Sequence, residues 1–136
     1  MQDIKVLMAD DESDTLNVMA RSVEREGYRV VKALNGQEAW DKIKKENPDI
    51  ILLDLIMPDM HGFTILKKLR EDPLPHKWQP VIIISALGEL GDVKKGFSLE
   101  ADHYITKPCT METVLKALRM MREAIDQKNS KDNKII

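Results

Sequence analysis

The feature that most constrains this chain is a repeated exchange of two hydrophobic periods. Short apolar, β-prone runs at Ile4–Ala9, Tyr28–Ala33, Ile50–Leu53, Val81–Ile84 and His103–Thr106 read as strands. Between them the apolar residues recur at helical spacing: Leu16, Met19, Ala20 and Val23, then Ala39, Trp40 and Ile43, then Ile65, Leu66 and Leu69, and finally Val114, Leu118, Met121 and Ile125. The second of these helices is entered through Asn35-Gly36 and left through Asn47-Pro48, where proline cannot continue it. Strict βα alternation predicts a parallel sheet with helices on both faces. Two stretches are less regular. Residues 72–80 contain three prolines and read as an extended connection, and the helix expected over Glu89–Leu99 carries Gly91 and Gly96, each costing about 1 kcal/mol relative to Ala.

In a parallel sheet all strands point the same way, so residues at their carboxyl ends collect along one edge, where such folds bind ligands. The first strand runs into Asp10-Asp11, the third into Asp54, the fourth into Ser85 and the fifth into Lys107. Taken singly, each has a bland reading: a turn former, a helix cap, a loop hydroxyl or an exposed charge. Asp59 is read as turn chemistry of this kind. Jointly, these endings on one edge point to a site. Carboxylates brought together repel, each pair by roughly 4 kcal/mol at 4 Å with an effective dielectric of about 20. Lys107 offsets one charge, leaving an oxygen-rich pocket suited to a hard divalent cation such as Mg²⁺. Such a site can neutralise a phosphoryl group, and Asp54 can accept one covalently.

Composition narrows the alternatives. A chain of 136 residues with 43% hydrophobic and 32% charged residues suits one domain with a proper core. A net charge of −2 without a concentrated block of Lys or Arg gives no electrostatic reason to expect direct binding to nucleic acid or an anionic membrane. The apolar runs are too short to span a bilayer and the N-terminus lacks a signal-peptide core, so the expected location is cytoplasmic. The single cysteine, Cys109, is read as a structural thiol.

With these residues in view, the sequence resembles the receiver domains of two-component response regulators. The matching pieces are Asp10-Asp11-Glu12, Ala33-Leu34-Asn35-Gly36-Gln37-Glu38-Ala39, Asp54 followed by Met57-Pro58 and Gly62, Ser85-Ala86, and the run from Ala101 to Pro108. The resemblance implies a flavodoxin-like, doubly wound (βα)5 fold with strand order 2-1-3-4-5 and a receiver domain over residues 3–128, with 129–136 a polar tail or linker start. It implies Asp54 as phosphoacceptor and Mg²⁺ held by Asp11, Asp54 and the backbone carbonyl of Ile56, with Asp10 acting through a water. Ser85 and Lys107 are then expected to bind the phosphoryl group, with Ala86 beside them, and Tyr104 to turn inward on activation. That motion would remodel the face formed by the helix over 89–99, the fifth strand and the last helix. Ile56 and Leu87 occupy positions that tune phosphate lifetime in the family, and Lys107-Pro108 is expected to be cis.

The implied partners are a sensor histidine kinase or a histidine phosphotransfer protein, then a downstream protein or output domain, with dimerisation on phosphorylation as a further expectation. No catalysis on external substrates is expected. Glu100, Asp102-His103 and Cys109 depart from common family patterns without touching the reacting groups. Three rival classes make different demands on the sequence. A phosphatase of the haloacid dehalogenase type needs Asp-x-Asp after the first strand, where this chain has Asp10-Asp11-Glu12. A flavodoxin-type flavin carrier needs a phosphate loop rich in Ser, Thr and Gly there, and acids would repel the phosphate. A non-phosphorylated pseudo-receiver predicts loss of a reacting residue, and none is missing.

Overall fold

The computed structural model describes residues 3–71, 77–86 and 101–134, with side chains as far as Ser130. The expected helix over Glu89–Leu99, Leu87, and most of the proline-rich connection lie outside the described residues. Five parallel strands form one sheet: β1 (Lys5–Ala9), β2 (Arg29–Ala33), β3 (Ile50–Asp54), β4 (Val81–Ala86) and β5 (His103–Lys107), in the order β2-β1-β3-β4-β5. This is the predicted flavodoxin-like order. Four helices are described: α1 (Ser13–Arg25), α2 (Gly36–Glu46), α3 (Gly62–Arg70) and α4 (Met111–Lys134).

The period-2 alternation of side chains sends each central strand into two cores at once. Val6 and Met8 of β1, Ile50 and Leu52 of β3, and Ile82 and Ile84 of β4 face one cluster, closed by Leu16, Ala20 and Val23 of α1 and by Val114, Ala117, Leu118 and Met121 of α4. Leu7 and Ala9, Ile51 and Leu53, and Val81 and Ile83 face the other, closed by Ala39 and Ile43 of α2 and by Phe63, Ile65 and Leu66 of α3. Both faces of the sheet are covered, which explains why β3 reads as an unbroken apolar run.

Helix ends follow local chemistry. Asn35 caps α2, its Oδ1 accepting from the Glu38 N–H at 2.8 Å, and Asn47 closes it in the left-handed region at φ 48° before Pro48. His61 caps α3 with Nδ1, which accepts from the Phe63 N–H at 3.1 Å. The polar stretch after Ile125 continues α4 to Lys134.

Three strands run further than sequence patterning places them. Patterning stops β3 at Leu53, β4 at Ile84 and β5 at Thr106, whereas Asp54, Ser85, Ala86 and Lys107 all lie within the paired strands. The ladder tolerates polar residues there because it needs only backbone groups, and Asp54 stands opposite Ile84 while Ser85 stands opposite Thr106.

Candidate functional site

The carboxyl edge of the sheet assembles the site from three strand ends. Asp10 follows β1, its N–H donating to the Ala33 carbonyl at 3.1 Å and its Oδ1 accepting from the Glu12 N–H at 2.9 Å. These two bonds fix both the backbone and the carboxylate of Asp10 at the mouth of the edge. Asp54 is the last residue of β3, and its neighbour Leu55 donates to the Ile84 carbonyl at 2.9 Å. Asp10 is 7% exposed and Asp54 9%, whereas Asp11 is exposed.

One carboxylate oxygen from each of Asp10, Asp11 and Asp54 can be drawn into a group whose members all lie within 4.8 Å of one another. Lys107, at the end of β5, places Nζ 3.1 Å from Asp54 Oδ2 and 4.0 Å from Asp10 Oδ2. Burial pushes the Asp54 carboxyl above its usual range, outweighing the pull of Lys107 and a backbone hydrogen bond from Ile56, while Asp10 adds to the rise. Burial works against the Lys107 ammonium, yet Asp54, Asp10 and Glu12 hold its pKa above the ordinary lysine value. The lysine is held charged, and its pull is insufficient to offset the desolvation of Asp54. A further positive charge at the mouth would relieve the three acids. An oxygen-only donor set of this charge fits Mg²⁺ better than a softer metal.

The other predicted residues fall around this centre. Ser85 is buried within β4, one position past the residue opposite Asp54. Ala86, opposite Lys107, is exposed, and Ile56 is 50% exposed on the loop after Asp54. The Lys107-Pro108 bond is cis, as expected. Tyr104 is half-buried against the α2/α3 core with its hydroxyl oxygen shielded from solvent. Cys109, expected as a structural thiol, is exposed.

Two acids do more than sequence reasoning assigned them. Asp59 accepts at both oxygens, from the Gly36 N–H at 2.8 Å and the Gln37 N–H at 2.9 Å, so it is a tertiary cap of α2. The turn reading is extended rather than replaced, because the N–H groups of Asp59 and Met60 also act on this carboxylate while the Gly36 and Gln37 donors lie on another element. Asp102 accepts from the Val81 N–H at 2.8 Å and pairs with Arg70 at 2.8 Å, while its own N–H donates to the Val81 carbonyl at 3.0 Å. It thereby locks the start of β5 to β4 and α3. Gly62 allows the loop to close on itself: its N–H donates to the Leu55 carbonyl at 2.7 Å, and a Cβ there would lie 3.0 Å from the Asp54 carbonyl oxygen.

A doubly wound sheet with a carboxylate cluster and a lysine on its carboxyl edge defines a class, and comparison with known proteins supplies the family. The sequence profile of the response regulator receiver domain matches residues 6–119. The chain belongs to that family, a group of signalling modules of two-component systems. It is 38% identical over 119 residues to the transcriptional regulatory protein SrrA of Staphylococcus aureus, covering 87% of this chain and 48% of that protein. It is 34% identical over 122 residues to the response regulator GtcR of Aneurinibacillus migulanus, covering 89% of this chain and 49% of that one. The chain thus spans about half the length of the curated relatives it matches. Among solved structures, the chemotaxis response regulator CheY4 of Vibrio cholerae aligns with a TM-score of 0.80 at 29% identity, over 88% of this chain and 99% of that one. Among the described residues no helix is long and apolar enough to cross a membrane.

Proposed function

We propose that this chain is a cytoplasmic, phospho-accepting receiver over residues 3–128, with 129–136 a polar tail or the start of a linker, and that Asp54 is its phosphoacceptor. The observation that carries the reading is the juxtaposition of Asp10, Asp11 and Asp54 with Lys107 Nζ 3.1 Å from Asp54 Oδ2. The residues suited to hold Mg²⁺ are Asp11 and Asp54, with the Ile56 carbonyl, and Asp10 through a water. When bound, that ion supplies positive charge to the phosphoryl oxygens.

A sensor histidine kinase or histidine phosphotransfer protein presents phosphohistidine at the mouth. An oxygen of the Asp54 carboxylate attacks phosphorus in line, an O–P bond forms, and the P–N bond breaks with its electron pair returning to the imidazole nitrogen. Lys107 offsets charge on the acyl phosphate and Ser85 donates its hydroxyl hydrogen to it. Ala86, small and exposed, leaves room beside them. The partial exposure of Ile56 puts an apolar group at the mouth, where it hinders attacking water, and Leu87 is assigned the same role. Tyr104 answers the movement of Ser85 and passes it to the face that includes β5 and α4, where a downstream protein, an output segment or a second copy docks. The activity is self-phosphorylation and self-dephosphorylation, without turnover of external substrates. That SrrA, of which this chain covers 48%, is a transcriptional regulatory protein supports regulation of transcription as one output.

The test is intact mass after incubation with Mg²⁺ and acetyl phosphate. One phosphoryl group, labile to hydroxylamine and absent from Asp54→Ala, is the expected result. No adduct on folded, Mg²⁺-bound protein would instead identify a pseudo-receiver.

A further inference from the structure

The loop between β3 and α3 carries the Ile56 carbonyl, and it is attached at both ends. At its base the Gly62 N–H holds the Leu55 carbonyl at 2.7 Å. At its tip Asp59 spans the first two N–H groups of α2, at 2.8 Å from Gly36 and 2.9 Å from Gln37. The packing there is close: a Cβ on Gly36 would overlap the Met60 side chain and lie 2.8 Å from the Met60 carbonyl oxygen. Asn35 already caps α2 at its third N–H. The helix therefore has a local cap, and the added clamp from Asp59 constrains the loop more than it creates the helix. Only Met57 and Pro58 separate Asp59 from Ile56. Met57 is 4% exposed in the α2/α3 core and Pro58 has a fixed φ, so the link is stiff.

We propose that Asp59 is a positioning residue for the metal site, which, through α2, holds the Ile56 carbonyl where Mg²⁺ needs it. The inference rests on the proposed metal-binding reading. Metal ligands held by outer partners lose affinity when those partners are removed.

The test is the Mg²⁺ dissociation constant of the full chain by titration calorimetry, with the metal-free melting temperature measured alongside. Asp59→Ala is expected to bind Mg²⁺ about tenfold more weakly. Gln37→Pro removes one donor of the clamp but keeps the Asp59 charge, at a first-turn position that tolerates proline, and it is expected to weaken binding in the same direction. Backbone amide shifts of Gly36 should respond to Mg²⁺ in the parent and respond less in both variants. If Asp59→Ala binds weakly and Gln37→Pro binds like the parent, the effect is one of charge and the proposal is overturned. If both variants melt lower but bind Mg²⁺ like the parent, Asp59 is a structural cap only. A parent that does not bind Mg²⁺ overturns the metal-site reading itself, and this inference with it.

Discussion

Arg70 and Asp102 are joined by a 2.8 Å ion pair whose side chains are only 17% and 20% exposed, across 32 residues of chain. The same Asp102 oxygen accepts from the Val81 N–H, so one carboxylate oxygen serves a guanidinium and a strand. Removing it takes the carboxylate from the Arg70 guanidinium, which keeps its bond to the Gln79 carbonyl at 3.1 Å, and takes this acceptor from the Val81 N–H. We expect Asp102→Ala to cost about 2–4 kcal/mol in urea denaturation, with Mg²⁺ affinity changed less than twofold because Asp102 lies at the far end of β5 from Lys107. An unchanged midpoint would show that water replaces the carboxylate without loss.

Asp54 contributes to stability in the opposite sense. Burial raises its pKa above the ordinary value despite Lys107, so between the unfolded-state and folded-state values the folded protein holds a proton that the unfolded chain has released. Stability is then greatest below the unfolded-state carboxylate pKa and falls as pH rises through the folded-state value. In metal-free protein Asp54→Asn should be more stable than the parent at neutral pH. The difference should vanish on acidification below the carboxylate range. Melting curves without Mg²⁺ from about pH 3 to pH 8 check this. With Mg²⁺ at about 100 times its dissociation constant the parent should regain about 2.7 kcal/mol, and the variant much less.

Lys107 competes with a divalent cation for the same acids, at 3.1 Å from Asp54 and 4.0 Å from Asp10. Lys107→Met should tighten Mg²⁺ binding, by about tenfold if its repulsion of the ion is near 1.4 kcal/mol. Calorimetric titration at constant ionic strength measures it. Weaker binding in the variant would mean that the lysine chiefly holds Asp54 in place.

Asn35 caps α2 through the Glu38 N–H, while Asp59 takes the two donors before it. Asn35→Ala should therefore cost about 1 kcal/mol, the usual value for a lost cap. The exposed Asp59 carboxyl is held below the usual range by the Gln37 and Gly36 N–H groups. Its contribution is present above the unfolded-state carboxylate pKa and is lost as pH falls through the lower folded-state value. Double-mutant cycles of Asn35→Ala with Asp59→Ala, by urea denaturation, should show coupling, since each cap depends on the same first turn.

The sequence by itself determined the architecture and the list of groups at the site. Strand and helix periods are local properties of consecutive side chains, and parallel strands bring their carboxyl ends to one edge whatever the details of packing. Asp10, Asp11, Asp54, Ser85 and Lys107 could be named on that basis. Only the tertiary structure decided what each acid faces. Lys107 meets Asp54 across 53 residues, Asp59 meets Gly36 across 23, and Asp102 meets Val81 across 21. A carboxylate that caps its own turn and one that clamps a distant helix have the same local signature of Asp beside Pro or Gly. Their difference lies in the unsatisfied N–H groups that folding brings opposite them, and those donors have no side-chain signature in the sequence.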